Sequence, residues 1–454
     1  MTAQGIMVGA AKADITPDYG TQISGDIGRY RPVEEIRDRL YARIFIIRSP
    51  EATCCLVACD MACTSQNHSA ALRARIAEAI GCEPPDVMIH CVQSHSAARV
   101  GGMFDDPEGL LTPDLWWVRG ETEAYNALFF DAVMAGVAEA AAAAVPATME
   151  FSRTIDGRCA FNRRFIMRDG TVKTHPGQCN EDVLQCEGPV DPEASLTLFR
   201  GEAGRPIAGL LHFTCHPIHG YPHRYVSADW PGLWSESVAQ KLGRGCVVGC
   251  LNGACGNTSP IDHTSPDYDG ATNLQLMLQR LGQTADTLLG KLAPVEALPL
   301  RTASEVLKVP WNRPAPETER AARALLARHP EPTFNDEHKT SITWDWVFAL
   351  RDIDKVHKLR ANPNYDLEIQ VARIGDVVIV GWPGEPFVEA QLQVKLESPL
   401  KRVIVAHEVN DECGYLPTLS AARRGGYEAW GKLPPGTLEK LAAKTVEMIR
   451  VTAG

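Results

Sequence analysis

The chain has no excess of basic residues: 45 Lys and Arg stand against 56 Asp and Glu, for a formal net charge of -11. An acidic surface without a basic stripe argues against nucleic acid and against stable association with anionic membranes. Long hydrophobic runs are missing too. The most apolar-looking stretch, 132 to 147, is rich in alanine rather than leucine, contains Glu139 and follows Asp131, so it reads as a partly buried helix of a soluble protein. The opening MTAQGIMVGAAKADITP lacks a basic start followed by a leucine-rich segment, so no secretory leader is expected and the expected location is cytoplasmic. There is no internal repeat and no low-complexity linker. Cysteine is plentiful, at 14, but the paired short spacings of zinc ribbons are absent. Cys55, Cys59, Cys91, Cys215, Cys246, Cys250 and Cys255 lie in or beside apolar runs, as buried free thiols do.

What is present is a core-forming composition, 45% hydrophobic over 454 residues, and five apolar runs that each end near a chemically capable side chain. These are VMIHCVQSH ending at His95, AGLLHFTCHP with His216, CVVGCLNGACGNTSP with Ser259, VVIVGWPGE at Glu385 and VIVAHEVNDECGY at Tyr415. Helical segments separate several of them, at about 67 to 80, 231 to 242 and 386 to 397. That alternation predicts an α/β fold with a mixed, largely parallel sheet core flanked by helices, whose ligands gather beyond the carboxyl ends of strands. Candidate site residues come from both halves, so one large catalytic domain spanning 1 to 454 is expected. The proline- and charge-rich 310 to 335, with a helix at 316 to 328, is an excursion from it.

The loop HFTCHPIHGYPHRY spaces its histidines as a helix face would, but Pro217, Gly220 and Pro222 forbid a helix. His212 then points inside, His216 ends the strand as the best ligand candidate, and His219 and His223 face solvent or a substrate. Glu385 follows a Pro383-Gly384 turn that projects it at a strand end, although a carboxylate there also suits a helix N-terminus. Glycines around Ser259 allow exposed amide hydrogens, as in an oxyanion site. The stretch is not the G-x-S-x-G elbow of α/β-hydrolases, and turn bonds by Asn257, Thr258 and Ser259 are the plainer alternative. Trp116, Trp117, Trp230 and Trp234 offer a candidate aromatic wall.

Taken in order, GAAKADITP, RLYARIFII, SHSAARVGG, FNRR, CHP with SADWPG, GNTSP, WPGEPF and ECGYLPT followed by Tyr427-Glu428 resemble the catalytic domain of the neutral ceramidases along essentially the whole chain. The resemblance implies a zinc-dependent amidase. In it His216, Glu385 and Tyr415 match zinc ligands, Ser259 matches the nucleophile, His95 the second histidine of a His-Thr-His-Ser motif, and Arg163 the arginine beside the scissile carbonyl. Two departures stand out. The first motif histidine, also a zinc ligand, is Gln93 here, and glutamine is a poor transition-metal ligand, so zinc binding is expected to be weakened. The sequence also ends soon after the last motif, leaving no room for the family's immunoglobulin-like carboxy-terminal domain, which makes ceramide an unexpected substrate. The expected function is metal-dependent hydrolysis of an amide or related acyl bond in a small soluble molecule. Esterase chemistry at the same site, or a non-catalytic binding protein with a decayed metal site, are the alternatives. Beyond the substrate, the expected partner is at most a second copy of the chain.

Overall fold

Strands in this protein are apolar on both faces, and the reason is visible in the layering. The computed structural model describes residues 5–266, 270–429 and 431–454. In strand Tyr41–Arg48, Ile44 and Ile46 pack toward helix Glu123–Ala142, while Phe45 and Ile47 pack toward a second sheet. Strand Val377–Gly381 of that second sheet alternates in the same way, with Val377 and Ile379 facing the first sheet and Val378 and Val380 facing helices Val388–Glu397 and Thr437–Ala453. The result is four layers, helix on sheet on sheet on helix, with an apolar core at each interface. Helices Asp229–Leu242 and Gly270–Gly290 cover another part of the first sheet's outer face, where Trp230 and Trp234 are buried.

The α/β class, the mixed sheet and the flanking helices are as expected from sequence; the strand directions need correcting. In the nine-stranded first sheet most neighbours run antiparallel, and only Thr53–Cys59 with Val87–Cys91 and Pro206–Phe213 with Val247–Asn252 run parallel. The four-stranded second sheet adds one parallel pair, Val377–Gly381 with Arg402–Ala406. Continuous apolar runs had pointed to parallel strands, which are normally covered on both sides. Here stacking two sheets covers antiparallel strands equally well, so the pattern records burial and not direction.

Each parallel pair is joined by one of the helices read from sequence, now bounded as Gln66–Ile80, Asp229–Leu242 and Val388–Glu397. Parallel strands deliver their carboxyl ends to the same side, and those exits carry the candidate residues. The hairpin read around Gly375-Asp376 is present, as is the helix Pro316–Arg328. That helix packs with Trp344–Ala361 and the Phe104, Leu115 and Trp117 region into a helical cap with a core of its own. No helix among the described residues is long and apolar enough to cross a membrane.

Candidate active site

Glu385 and Tyr415 are brought side by side by a two-residue parallel ladder in which they are direct partners. The turn before Glu385 depends on Gly384, which has φ +63°, and a Cβ there would lie 2.3 Å from the Cys413 sulfur. His216 follows the strand Pro206–Phe213, and His95 follows Val87–Cys91. Their Nε2 atoms are 2.9 Å apart, and His216 Nε2 is 4.0 Å from Glu385 Oε2. Arg163 donates from Nη2 to the Gly256 carbonyl at 2.6 Å, and its guanidinium lies 5.4 and 5.7 Å from the ring centres of Tyr415 and Tyr427. His95, Arg163, Glu385 and Tyr415 line one cavity of about 400 Å³. His216 stands behind His95, off the lining.

Burial dominates the electrostatics. It pushes the Glu385 carboxyl up to about 7, against the opposing pull of Arg163 and hydrogen bonds from Gln93 and Tyr415. It pushes His95 down to about 3, helped by Arg31 and Arg163, and holds His216 well below the ordinary imidazole range, helped by Arg163 and His95. Burial also raises the Tyr415 phenol, with Glu385 adding to the effect. Burial works against the Arg163 cation, yet the neighbouring phenols and Glu428 keep it firmly charged.

Ser259 is placed differently from the rest. It pairs with Phe161 in a short antiparallel ladder, is fully buried, and its hydroxyl accepts the Ile261 N–H at 3.2 Å; it does not line the cavity. The four tryptophans do not form the cavity wall either: Trp117, Trp230 and Trp234 are buried in hydrophobic cores and Trp116 is exposed, while among the described residues Trp344 is the tryptophan at the cavity. His212 is inside as expected, donating from Nδ1 to the Leu251 carbonyl, 2.9 Å away. His219 is buried against Asp229 at 2.7 Å instead of facing solvent, while His223 is exposed.

Several neighbours escaped sequence reasoning. Gln93 Oε1 lies 3.1 Å from His407 Nε2, and the Gln93 amide helps to hold the Glu385 carboxyl down against burial. Tyr427 sets its hydroxyl 3.4 Å from that of Tyr415. Glu408 lines the cavity fully buried, with neither oxygen hydrogen-bonded. The sequence signal is VIVAHEVNDE, a histidine and acids directly after an apolar strand. Both Gln93 (φ +69°) and Glu408 (φ +46°) adopt the left-handed backbone that non-glycine residues rarely hold, the kind of strain that collects at functional sites. The cavity face of helix Trp344–Ala361, namely Trp344, Val347, Phe348 and Arg351, also follows readable i, i+3, i+4, i+7 spacing.

Glu408 yields a stability prediction. Burial, followed by repulsion from Glu412 and Glu385, holds its carboxyl well above the ordinary range. An acid whose folded pKa exceeds its unfolded value of about 4.3 destabilises the fold increasingly as pH rises past that value, because the unfolded chain ionises first. Glu408→Gln, which keeps a polar group there but cannot ionise, is therefore expected to stabilise the protein at pH 8 by on the order of a few kcal/mol, since about 1.4 kcal/mol attaches to each tenfold change in proton affinity, and to raise the melting temperature less at pH 5. Equal melting temperatures for the two proteins at both pH values would show that the carboxyl has a partner.

The fold on which this site is built is that of the neutral ceramidases. Two solved structures carry the comparison. One, a ceramidase complexed with C2, superposes with a TM-score of 0.71 at 17% identity over 99% of this chain and 76% of its own. The other, neutral ceramidase from Pseudomonas aeruginosa, gives 0.71 at 18% identity over 98% of this chain and 74% of its own. No protein-family description matches the chain, and no curated protein does.

Those relatives prompt a test of the metal. Among the described residues no group of three or more His, Cys, Asp or Glu side chains stands ready to hold an ion. The donor chemistry nevertheless suits one. His216 turns Nδ1 to the Cys255 carbonyl at 3.3 Å, and His95 turns Nδ1, the nitrogen not facing His216, toward the Gly25 backbone. If both rings donate to those backbone groups, two lone pairs meet at 2.9 Å, a place for a proton or a metal ion, beside the unpartnered Glu385 Oε2 and the Tyr415 phenol.

Proposed function

We infer that this protein is a zinc-dependent hydrolase of an amide or closely related acyl bond in a small soluble molecule other than ceramide. The observation that carries the reading is the convergence of His95, His216, Glu385, Tyr415 and Arg163 from distant strand exits around one cavity. Zinc held by His216, Glu385 and Tyr415 supplies carbonyl polarisation and acidification of water when bound. Gln93 lends no imidazole; its amide oxygen is engaged by His407, which supports weaker metal binding than a histidine there would give.

The remaining work falls to side chains. Burial and the nearby cations keep His95 neutral, the state in which Nε2 can take a proton from the attacking group and return it to the leaving amine. Arg163 faces negative charge developing on the carbonyl oxygen, with Tyr415 and Tyr427 beside it. Water is favoured over Ser259 as nucleophile, because the Ser259 hydroxyl does not line the cavity. The enzyme acts in the cytoplasm, a reading supported by the free state of all 14 cysteines.

Metal analysis of protein purified without chelator, combined with a panel of N-acyl and ester substrates, tests this function. Zinc-dependent release of an amine supports it; metal-free protein that cleaves none of the panel argues for a binding protein. Ser259→Ala is expected to retain kcat within about tenfold and to show no loss of metal. Trapping of an acyl group on Ser259 would make the serine the nucleophile.

A further inference from the structure

Helix Trp344–Ala361 runs along two adjoining cavities. Trp344, Val347 and Phe348 line the candidate active-site cavity, Lys355 lines a neighbouring cavity of about 640 Å³, and Arg351 lines both. Most cations of the second cavity are already matched. Lys358 lies 2.9 Å from Asp354 and 3.2 Å from Asp105, Arg119 lies 2.7 Å from Glu121, and Arg99 and Lys432 each lie 3.5 Å from Glu412.

Arg351 and Lys355 are different. One helical turn apart, they form no ion pair within 4.0 Å and no hydrogen bond among the described residues, and the Arg351 guanidinium meets only the Phe348 ring, 5.5 Å from its centre. Asp352, beside them on the helix, forms no ion pair within that distance among the described residues, and interacts with both cations only from further away. Like charges one turn apart repel, and burial already pushes Lys355 down to about 8, against the pull of Asp352 and with Arg351 and Lys432 adding to the fall. A planar guanidinium with a nearby ammonium is suited to an oxyanion, because the fork binds two oxygens while the second charge neutralises the group.

Building on the hydrolase reading above, we propose that Arg351 and Lys355 receive an anionic oxygen group, a carboxylate or a phosphate, carried by the substrate at the end remote from the scissile bond. The substrate then lies across both cavities, its acyl bond at His95 and Glu385 and its charged end at the helix. The apolar face made by Trp344, Val347 and Phe348 covers the segment between.

Binding can be measured without turnover. Titration calorimetry of the full chain with glutarate, inorganic phosphate and uncharged pentane-1,5-diol is expected to show an anion preference, and the tighter of the two anions identifies the group. Arg351→Gln and Lys355→Gln should each weaken that anion at least tenfold while leaving the diol unchanged, with circular dichroism confirming the fold. Arg351→Lys, which keeps charge but loses the fork, should fall between. Anion affinity equal in wild type and both glutamine variants, or no anion binding at millimolar concentration, overturns the proposal. A protein that cleaves neutral N-acyl compounds yet binds no anion loses the subsite and keeps the hydrolase reading. One that binds anions but cleaves nothing loses the hydrolase reading and keeps the subsite.

Discussion

Glu385→Ala is expected to lower kcat/KM by about a thousandfold or more while leaving the metal-free protein at least as stable. A metal ion contributes several kcal/mol of charge stabilisation to acyl transfer, and each ~1.4 kcal/mol is a factor of ten in rate. The carboxyl is costly to the resting fold: burial raises it to about 7 and its Oε2 has no hydrogen-bond partner. Removing it relieves that cost in the metal-free protein, so activity and the melting temperature measured after metal removal should move apart. Zinc content should fall together with the rate. Retention of near-normal turnover with full metal content would falsify the assignment of Glu385 to the metal.

Arg163→Met carries the second large effect, a fall of roughly a hundred- to a thousandfold in kcat with KM little changed, the loss typical of a donor aimed at developing charge. The fold should tolerate the change. Glu428, 3.5 Å from Arg163, keeps its 2.6 Å ion pair with Arg164 and its 2.9 Å hydrogen bonds from Thr174. Arg163→Lys preserves charge without the guanidinium fork and should lie between the two. If KM rises and kcat stays, Arg163 holds the substrate equally in ground and transition states, and the role proposed for it in turnover is wrong.

Sequence reasoning reached the strand exits well because the signal there is local: an apolar run, then a turn, then a functional group. Glu385 and Tyr415 sit on such exits and are register partners. It failed where identity depends on a partner far away in sequence. Nothing near Gln93 announces that its amide meets His407. The Ser259 hydroxyl, by contrast, makes the local turn bond that its own stretch allows, accepting the Ile261 N–H. Strand direction was lost for a different reason: Phe45 and Ile44 face different cores, so alternation of environment left no alternation of residue type. Helix Trp344–Ala361 was legible from its spacing, and its omission hid one wall of the cavity.

His90 gives the assembly a further property. Fully buried at the end of one parallel strand, it donates from Nδ1 to the His407 carbonyl at 2.6 Å and accepts the Asn252 N–H on Nε2 at 3.1 Å, so one ring fastens strand exits from both sheets. Gln93 and His407, which meet beside it, are 314 residues apart in the chain. A newly made chain holding only the first sheet has neither Glu385 nor Tyr415 in place, and an intermediate lacking the sheet-to-sheet joint has no complete cavity. The onset of hydrolysis during refolding therefore dates the closing of the last long-range contacts, and turnover serves as a clock for the completion of the fold.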